Sequence, residues 1–274
     1  MKIKNIWKVF FSPTGSTKTI IDTIAKVLSE DLAAPVEELN YTHLQTRQET
    51  HKFQDADLVI WGTPVYAGRI PNKTLPYIQN NVTGNGAFAV PVSVFGNRNY
   101  DDGLIELRNE LEQNGFHTLA GAAIASRHCF SSTLGKGRPD EKDWEKIKTF
   151  AHSLSKKITS LEMVPGPITV SGNNPPAPYY VPKGEDGKPA VFLKAKPKTK
   201  EELCTACGLC VRSCPMGSID PKDPCLVPGI CIKCQACILK CPVQAKYFDD
   251  PAFLSHKAML EKNFTARKEP EFFL

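Results

Sequence analysis

The sequence predicts an α/β fold: a doubly wound parallel sheet over the first 160 residues, followed by a small α+β domain rich in cysteine. Three observations carry this. Up to residue 160, apolar strand-like runs alternate with amphipathic helical segments, which argues for a parallel sheet covered on both faces. Eight of the 22 prolines crowd into residues 165–197 and break regular structure there. Nine of the 10 cysteines then fall between Cys204 and Cys241.

The elements follow in order. Strands are expected at 6–11, 35–39, 57–61, 87–95 and 117–125, and helices at 16–30, 72–80, 102–114 and 140–160. The first helix is read from Ile20, Ile21, Ile24, Val27 and Leu28, which share one face at a helical period. The proline-rich segment is a linker or extended arm, with short strands expected at 167–170 and 190–194. From Pro251 the tail reads as one helix that buries Phe253, Leu254, Met259 and Leu260. The expected domains are therefore 1–160, a linker or arm at 161–197, 198–248, and a helix or tail at 249–274.

Between the first strand and the first helix lies FFSPTGSTKT, residues 10–19. It has the chemistry of a phosphate cradle. Helix N-termini leave N–H groups free and carry partial positive charge. The loop is not a P-loop, because Thr17 and not glycine precedes Lys18. Nor is it a dinucleotide fingerprint, because Gly15 is its one glycine where three are needed. What remains is a run of hydroxyls, Ser12, Thr14, Ser16 and Thr17, or else an ordinary capping turn.

The cysteines repeat. CTACGLCVRSCP at 204–215 and CIKCQACILKCP at 231–242 share the pattern C-x2-C-x2-C-x3-C-P. This is the spacing of a pair of [4Fe–4S] clusters, in which three thiolates on a tight loop serve one cluster and the fourth serves the other. Structural zinc prefers two separated pairs. Disulfides are disfavoured by spacing and by a reducing compartment. One cluster is then expected on Cys204, Cys207, Cys210 and Cys241, and the other on Cys231, Cys234, Cys237 and Cys214.

With these motifs, residues 198–248 resemble a bacterial-type ferredoxin with two [4Fe–4S] clusters. The N-terminal region resembles a flavodoxin, on SPTGST at 12–17, GTPVYAGRIP at 62–71 and VFGNRNYDD at 94–102. The whole chain resembles the flavodoxin–ferredoxin fusion proteins of anaerobic bacteria and archaea. The resemblance implies a flavodoxin-like sheet of order 2-1-3-4-5, with the three loops converging at its switch point. It implies that the phosphate is that of FMN, held by Ser12, Thr14, Gly15, Ser16 and Thr17. Thr63, Pro64, Val65, Tyr66, Ala67 and Gly68 would border the flavin ring. Phe95, Gly96, Asn97 and Tyr100 would close the other side, with Tyr66, Phe95 and Tyr100 as candidates for stacking.

Other features have bland readings. Cys129 is expected to be a small packed side chain; its loop follows the fifth strand, and a single His128 there is weak evidence for a place near the flavin. Cys225 falls outside the cluster spacing and is read as a non-ligand. Asp101 or Asp102 is expected to cap a helix. The lysines at 183, 188, 194, 196, 198 and 200 are read as solvated. The formal net charge of +5 concentrates after residue 165 and is largely counter-charge for anionic cofactors, so nucleic acid is not an expected partner. The N-terminus does not read as a signal peptide, and no apolar run approaches a membrane span, so a cytoplasmic protein is expected.

The function expected is electron transfer between FMN and two clusters on one chain. The alternatives are a flavin reductase of a small acceptor such as a quinone, a nitro compound or a free flavin, and a redox sensor. The partner, a protein or a small acceptor, and the oligomeric state are not specified by the sequence.

Overall fold

The computed structural model describes residues 2–274. Five parallel strands form the centre of the sheet: β1 at Asn5–Phe10, β2 at Val36–Asn40, β3 at Asp57–Pro64, β4 at Phe88–Phe95 and β5 at Gly121–Ala125. Their order is 2-1-3-4-5, as the sequence predicts. The register pairs Ile6 with Leu58 and Val59 with Ala89. β3 and β4 are covered on both faces, so they read as unbroken apolar runs rather than alternating ones.

Helix α1 (Ser16–Leu32) and helix α4 (Glu141–Thr159) pack Ile20, Ile24, Phe150 and Leu154 against one face. Helix α2 (Leu75–Asn81) and helix α3 (Gly103–Gln113) cover the other, where Trp61, Tyr41 and Phe116 are buried. Helix α4 starts cleanly because Asp140 and Asp143 form a reciprocal capping box.

Four expectations change. The strand expected at 117–125 is two pieces, with a short one at His117–Thr118. Residues 167–170 and 190–194 are irregular, not strands. The tail does form a helix, α7 (Pro251–Asn263), but Leu254 lies on its exposed side at 42%. Beyond it the chain returns to the sheet: β6 (Glu271–Phe273) pairs antiparallel with β5 and covers an edge left open.

The cysteine repeat is visible in the backbone. Left-handed residues occur at Ala206, Gly208 and Gly217, and again 27 residues on at Lys233, Gln235 and Gln244. Each motif folds its middle into a short helix, α5 (Leu209–Ser213) and α6 (Ala236–Leu239), which pack together. A two-residue antiparallel ladder, Lys198–Thr199 with Lys246–Tyr247, closes the unit.

Candidate functional site

A cavity of about 360 Å³ opens at the carboxyl ends of the sheet strands. The 12–17 loop supplies Ser12, Thr14, Ser16 and Thr17 to its wall. Gly15 caps α1 at φ 96° and has no side chain to satisfy the first N–H groups. Ser12 Oγ accepts one of them, from Lys18 N (3.0 Å). The second loop supplies Pro64, Val65, Tyr66, Ala67 and Gly68, and the third supplies Phe95 and Gly96. Gly68 has φ +81°, and a Cβ there would lie 2.4 Å from Asp101 Oδ2. A Cβ on Gly96 would meet the His128 ring at 2.4 Å. Both positions need glycine for close approach.

Three expected FMN residues lie elsewhere. Thr63 is fully buried, with its hydroxyl on Pro64 O. Asn97 turns its amide to the tail, donating to Phe264 O (2.7 Å) and Ala266 O (3.0 Å). Tyr100 is not available for stacking: it is buried, and its hydroxyl donates to Glu271 Oε2 (2.7 Å) on β6. Asp102 is the N-cap residue of α3, as expected, but its side chain makes no capping hydrogen bond. Its carboxylate accepts from Asn173 N (2.8 Å) and Ala177 N (2.8 Å), which ties down the proline-rich arm.

That arm forms part of the cavity wall. Tyr180 N donates to Ala67 O (2.8 Å), and the Tyr179 hydroxyl to Ile70 O (2.8 Å). Arg69 and Arg98 lie over the rings of Tyr179 and Tyr180, at 5.0 and 4.4 Å. Tyr179, Tyr180, Phe192 and Leu193 then face the cavity, together with His256 and Leu260 of α7. Most importantly, Ile232, Lys233 and Cys234 of the second cysteine motif complete it. Their place in the flavin-side cavity carries no local signal in the sequence, because these segments lie about 160 to 250 residues from the phosphate loop.

His128 and Cys129 line the cavity. Phe130 N donates to His128 Nδ1 (3.1 Å), so the neutral ring carries its proton on Nε2. Burial pushes its pKa down to about 4, with His256 and Arg98 adding to the shift. Burial pushes the Cys129 thiol up to about 12, which favours its protonated form.

The cysteines divide into two settings. Cys214, from the first motif, lines one cavity with Cys231, Cys234 and Cys237 of the second. Burial pushes the Cys237 thiol up to about 12, and a metal deprotonates such a thiol outright. Cys204, Cys207 and Cys210 lie on the outer loop, Cys207 exposed. Cys241 is partly desolvated, but backbone N–H groups, including Ala245 N at 3.2 Å, hold its thiol below its ordinary pKa. Cys225 lies near Cys204. Among the described residues no three ligating side chains converge on a single ion.

Three buried cations, Arg47, Lys233 and Lys246, form no ion pair with a carboxylate among the described residues; carbonyls, a hydroxyl and the Met216 sulfur surround them instead. Burying unpaired positive charge is costly. Anionic clusters, at about −2 each when oxidised on four thiolates, would supply a partner for this charge if held by the neighbouring cysteines.

Comparison with known proteins gives the same division. Residues 9–115 match the family described as Flavodoxin domain. Residues 197–220 and 228–244 each match a family described as 4Fe-4S binding domain. The chain joins a flavodoxin domain to two ferredoxin-type 4Fe–4S domains. It is an electron-transfer protein of FMN and two [4Fe–4S] clusters. Similar solved structures include a flavodoxin from Streptococcus pneumonia TIGR4, 22% identical, with 56% of this chain and 99% of that one covered and a TM-score of 0.40. A flavodoxin from the domain Archaea is 13% identical, covers 57% and 99%, and has a TM-score of 0.39. Rubredoxin oxygen:oxidoreductase from the anaerobe Desulfovibrio gigas is 18% identical, covers 58% of this chain and 37% of that one, and has a TM-score of 0.38. No curated protein matches the chain.

Proposed function

We propose that electrons pass between FMN and a redox partner through the clusters in a fixed order, the second motif first and the first motif last. Flavin takes two electrons and releases them singly, and each cluster carries one. One observation carries the order: Cys234 lines the same cavity as the phosphate loop and Tyr66, whereas Cys207 is exposed on the outer loop.

The chain's residues have distinct parts. Ser12, Thr14, Ser16, Thr17 and the free N–H groups of α1 hold the phosphate. Pro64 to Gly68, Phe95 and Gly96 border the ring. Cys214, Cys231, Cys234 and Cys237 ligate the inner cluster, and Cys204, Cys207, Cys210 and Cys241 the outer one. The arm, through Tyr179, Tyr180 and Phe192, walls the crevice, which favours delivery through the protein over direct reduction of a small acceptor. Holding the cofactors on one chain makes internal transfer independent of concentration. The donor and acceptor are proteins or small molecules that reach the outer loop. Cysteines that ligate clusters must stay reduced, which supports a cytoplasmic location; among the described residues no helix is long and apolar enough to cross a membrane.

The test is stopped-flow mixing with cytochrome c of anaerobic full-length protein that has been reduced with dithionite and then freed of it by gel filtration, followed at flavin, cluster and cytochrome wavelengths. Cys207→Ala is expected to keep rapid exchange between flavin and the remaining cluster but to lose reduction of a protein acceptor such as cytochrome c. Unchanged cytochrome reduction by this variant would overturn the order.

A further inference from the structure

We propose that Arg47 and Lys233 make the inner cluster the stronger electron acceptor of the two. The inference rests on the ligand sets proposed above and concerns residues that are not ligands. Reduction adds one negative charge to a cluster, so fixed positive charge beside it favours reduction and burial opposes it.

The two motifs allow a position-by-position comparison, because they repeat at an offset of 27 residues. Lys233 lies between Cys231 and Cys234, and its position in the first motif is Ala206. Both residues adopt the same left-handed backbone, at φ 59° and φ 51°. At this position the loops match in shape and differ by a charge; the first motif's own cation, Arg212, donates to Cys207 O (3.3 Å) from an exposed position where solvent screens it. The Lys233 ammonium is buried and donates to Cys231 O (2.9 Å) and to Leu193 O.

The second matched position is the proline after the fourth cysteine. Pro242 is exposed, whereas Pro215, next to Cys214, is buried under Arg47 of the flavodoxin domain. The guanidinium donates to Pro215 O and lies 3.8 Å from Met216 Sδ. Its other nitrogen donates to Tyr41 O (2.9 Å) and Thr42 O (2.6 Å). Thr42 Oγ1 in turn accepts from Ser12 N (2.9 Å) in the phosphate loop. Arginine stays charged under any condition the protein survives.

Neither cation is cancelled. No carboxylate is within ion-pair distance of either among the described residues, and Asp250 acts on Lys233 only from further away. Lys246 does not rank the clusters, because it bears on Cys210 of one motif and Cys237 of the other. Burial of Cys234 and Cys237 opposes reduction of the inner cluster. The same exclusion of water leaves the field of two cations unscreened. Two charges held in the wall therefore outweigh the desolvation of one added charge.

The test is an anaerobic redox titration of the full-length protein, followed by EPR, with iron and FMN counted in every sample. In the unaltered protein the two clusters should show separate midpoint potentials. Arg47→Gln and Lys233→Gln are each expected to lower the higher midpoint and leave the lower one in place, with about eight irons retained. Arg47→Lys, which keeps the charge and loses the fork, should restore most of the midpoint. No shift, shifts of different clusters, a shift of the lower midpoint, or loss of iron in place of a shift would each overturn the inference. Wild-type protein with other than one FMN and about eight irons would instead refute the cofactor sets on which it rests.

Discussion

The two cysteine motifs have the same ligand spacing and opposite surroundings. The first presents Thr205, Ala206 and Cys207 to solvent, whereas the second buries Lys233, Cys234, Gln235, Ala236 and Cys237. The residues between the ligands make the difference. Ile232 packs against the flavodoxin core that contains Val9, Phe11 and Tyr41, while Thr205 offers no such apolar surface. Ligand spacing specifies what is bound, and the spacer side chains decide which motif turns inward.

The largest effect tests how the motifs share their ligands. Cys214→Ala with Cys234→Ala damages one cluster and should leave about four irons per chain, whereas Cys207→Ala with Cys214→Ala damages both. Iron analysis and the reduced EPR signal measure this. The reverse pattern would mean that each motif ligates its own cluster, and the shared cavity of Cys214 with the second motif would then have no role.

Next is the dependence of the flavin site on the inner motif. The flavodoxin domain has its own core, so a fragment of residues 1–160 is expected to fold. Its FMN affinity should fall at least about tenfold below that of the full chain, because the arm, α7 and the second motif no longer wall the cavity. Equal affinity by fluorescence titration would show that these segments cover the site without contributing to it.

Gly68→Ala sharpens the same point from inside the flavodoxin domain. The backbone there is left-handed, and the new methyl meets Asp101. A destabilisation of roughly 1 kcal/mol or more is expected from the strained conformation, measured by urea unfolding of the apoprotein, together with weaker FMN binding. Outer-motif variants such as Ala206→Gly should leave FMN binding unchanged.

A pH effect separates the regions more gently. His128 is held neutral by burial, with a pKa pushed down to about 4. The unfolded chain takes up a proton there as pH falls below about 6.5, and the folded chain does not. Stability should therefore fall from pH 6.5 toward pH 4, and His128→Gln should flatten that slope in apoprotein melting curves. An identical slope in the variant would remove His128 as its source. The smallest effect lies at the ladder that closes the cysteine unit: Asp249→Asn breaks only the exposed pair with Lys198 (2.8 Å), and its melting temperature should equal that of the unaltered protein.

Much of this was legible in the sequence, for local reasons. The five strands and α1 to α4 follow from periodicity, because each must bury one face or both. The phosphate loop and the two motifs follow from spacing, because backbone geometry near a helix start or a metal loop is set within a dozen residues. The misassigned residues are equally instructive. Tyr100 looked like a stacking ring, but Glu271 holds it from the other end of the chain. Asp102 does stand at the N-cap of α3, but the arm and not the helix uses its carboxylate. In both cases a distant partner claimed a polar atom that the local pattern left free.

The sequence by itself determined the cofactor chemistry: a sheet with its loops at the switch point, and eight cysteines in register. Those features depend on short-range covalent geometry and on apolar periodicity, which one chain segment carries alone. Only the tertiary structure decided how the two motifs sit against the crevice of the flavodoxin domain. It brought Cys234 to the flavin crevice, left Cys207 outside, set the arm against the flavin loops, and placed Arg47 on the carbonyl next to Cys214. These are contacts between segments with no shared pattern, and packing between the domains selects them.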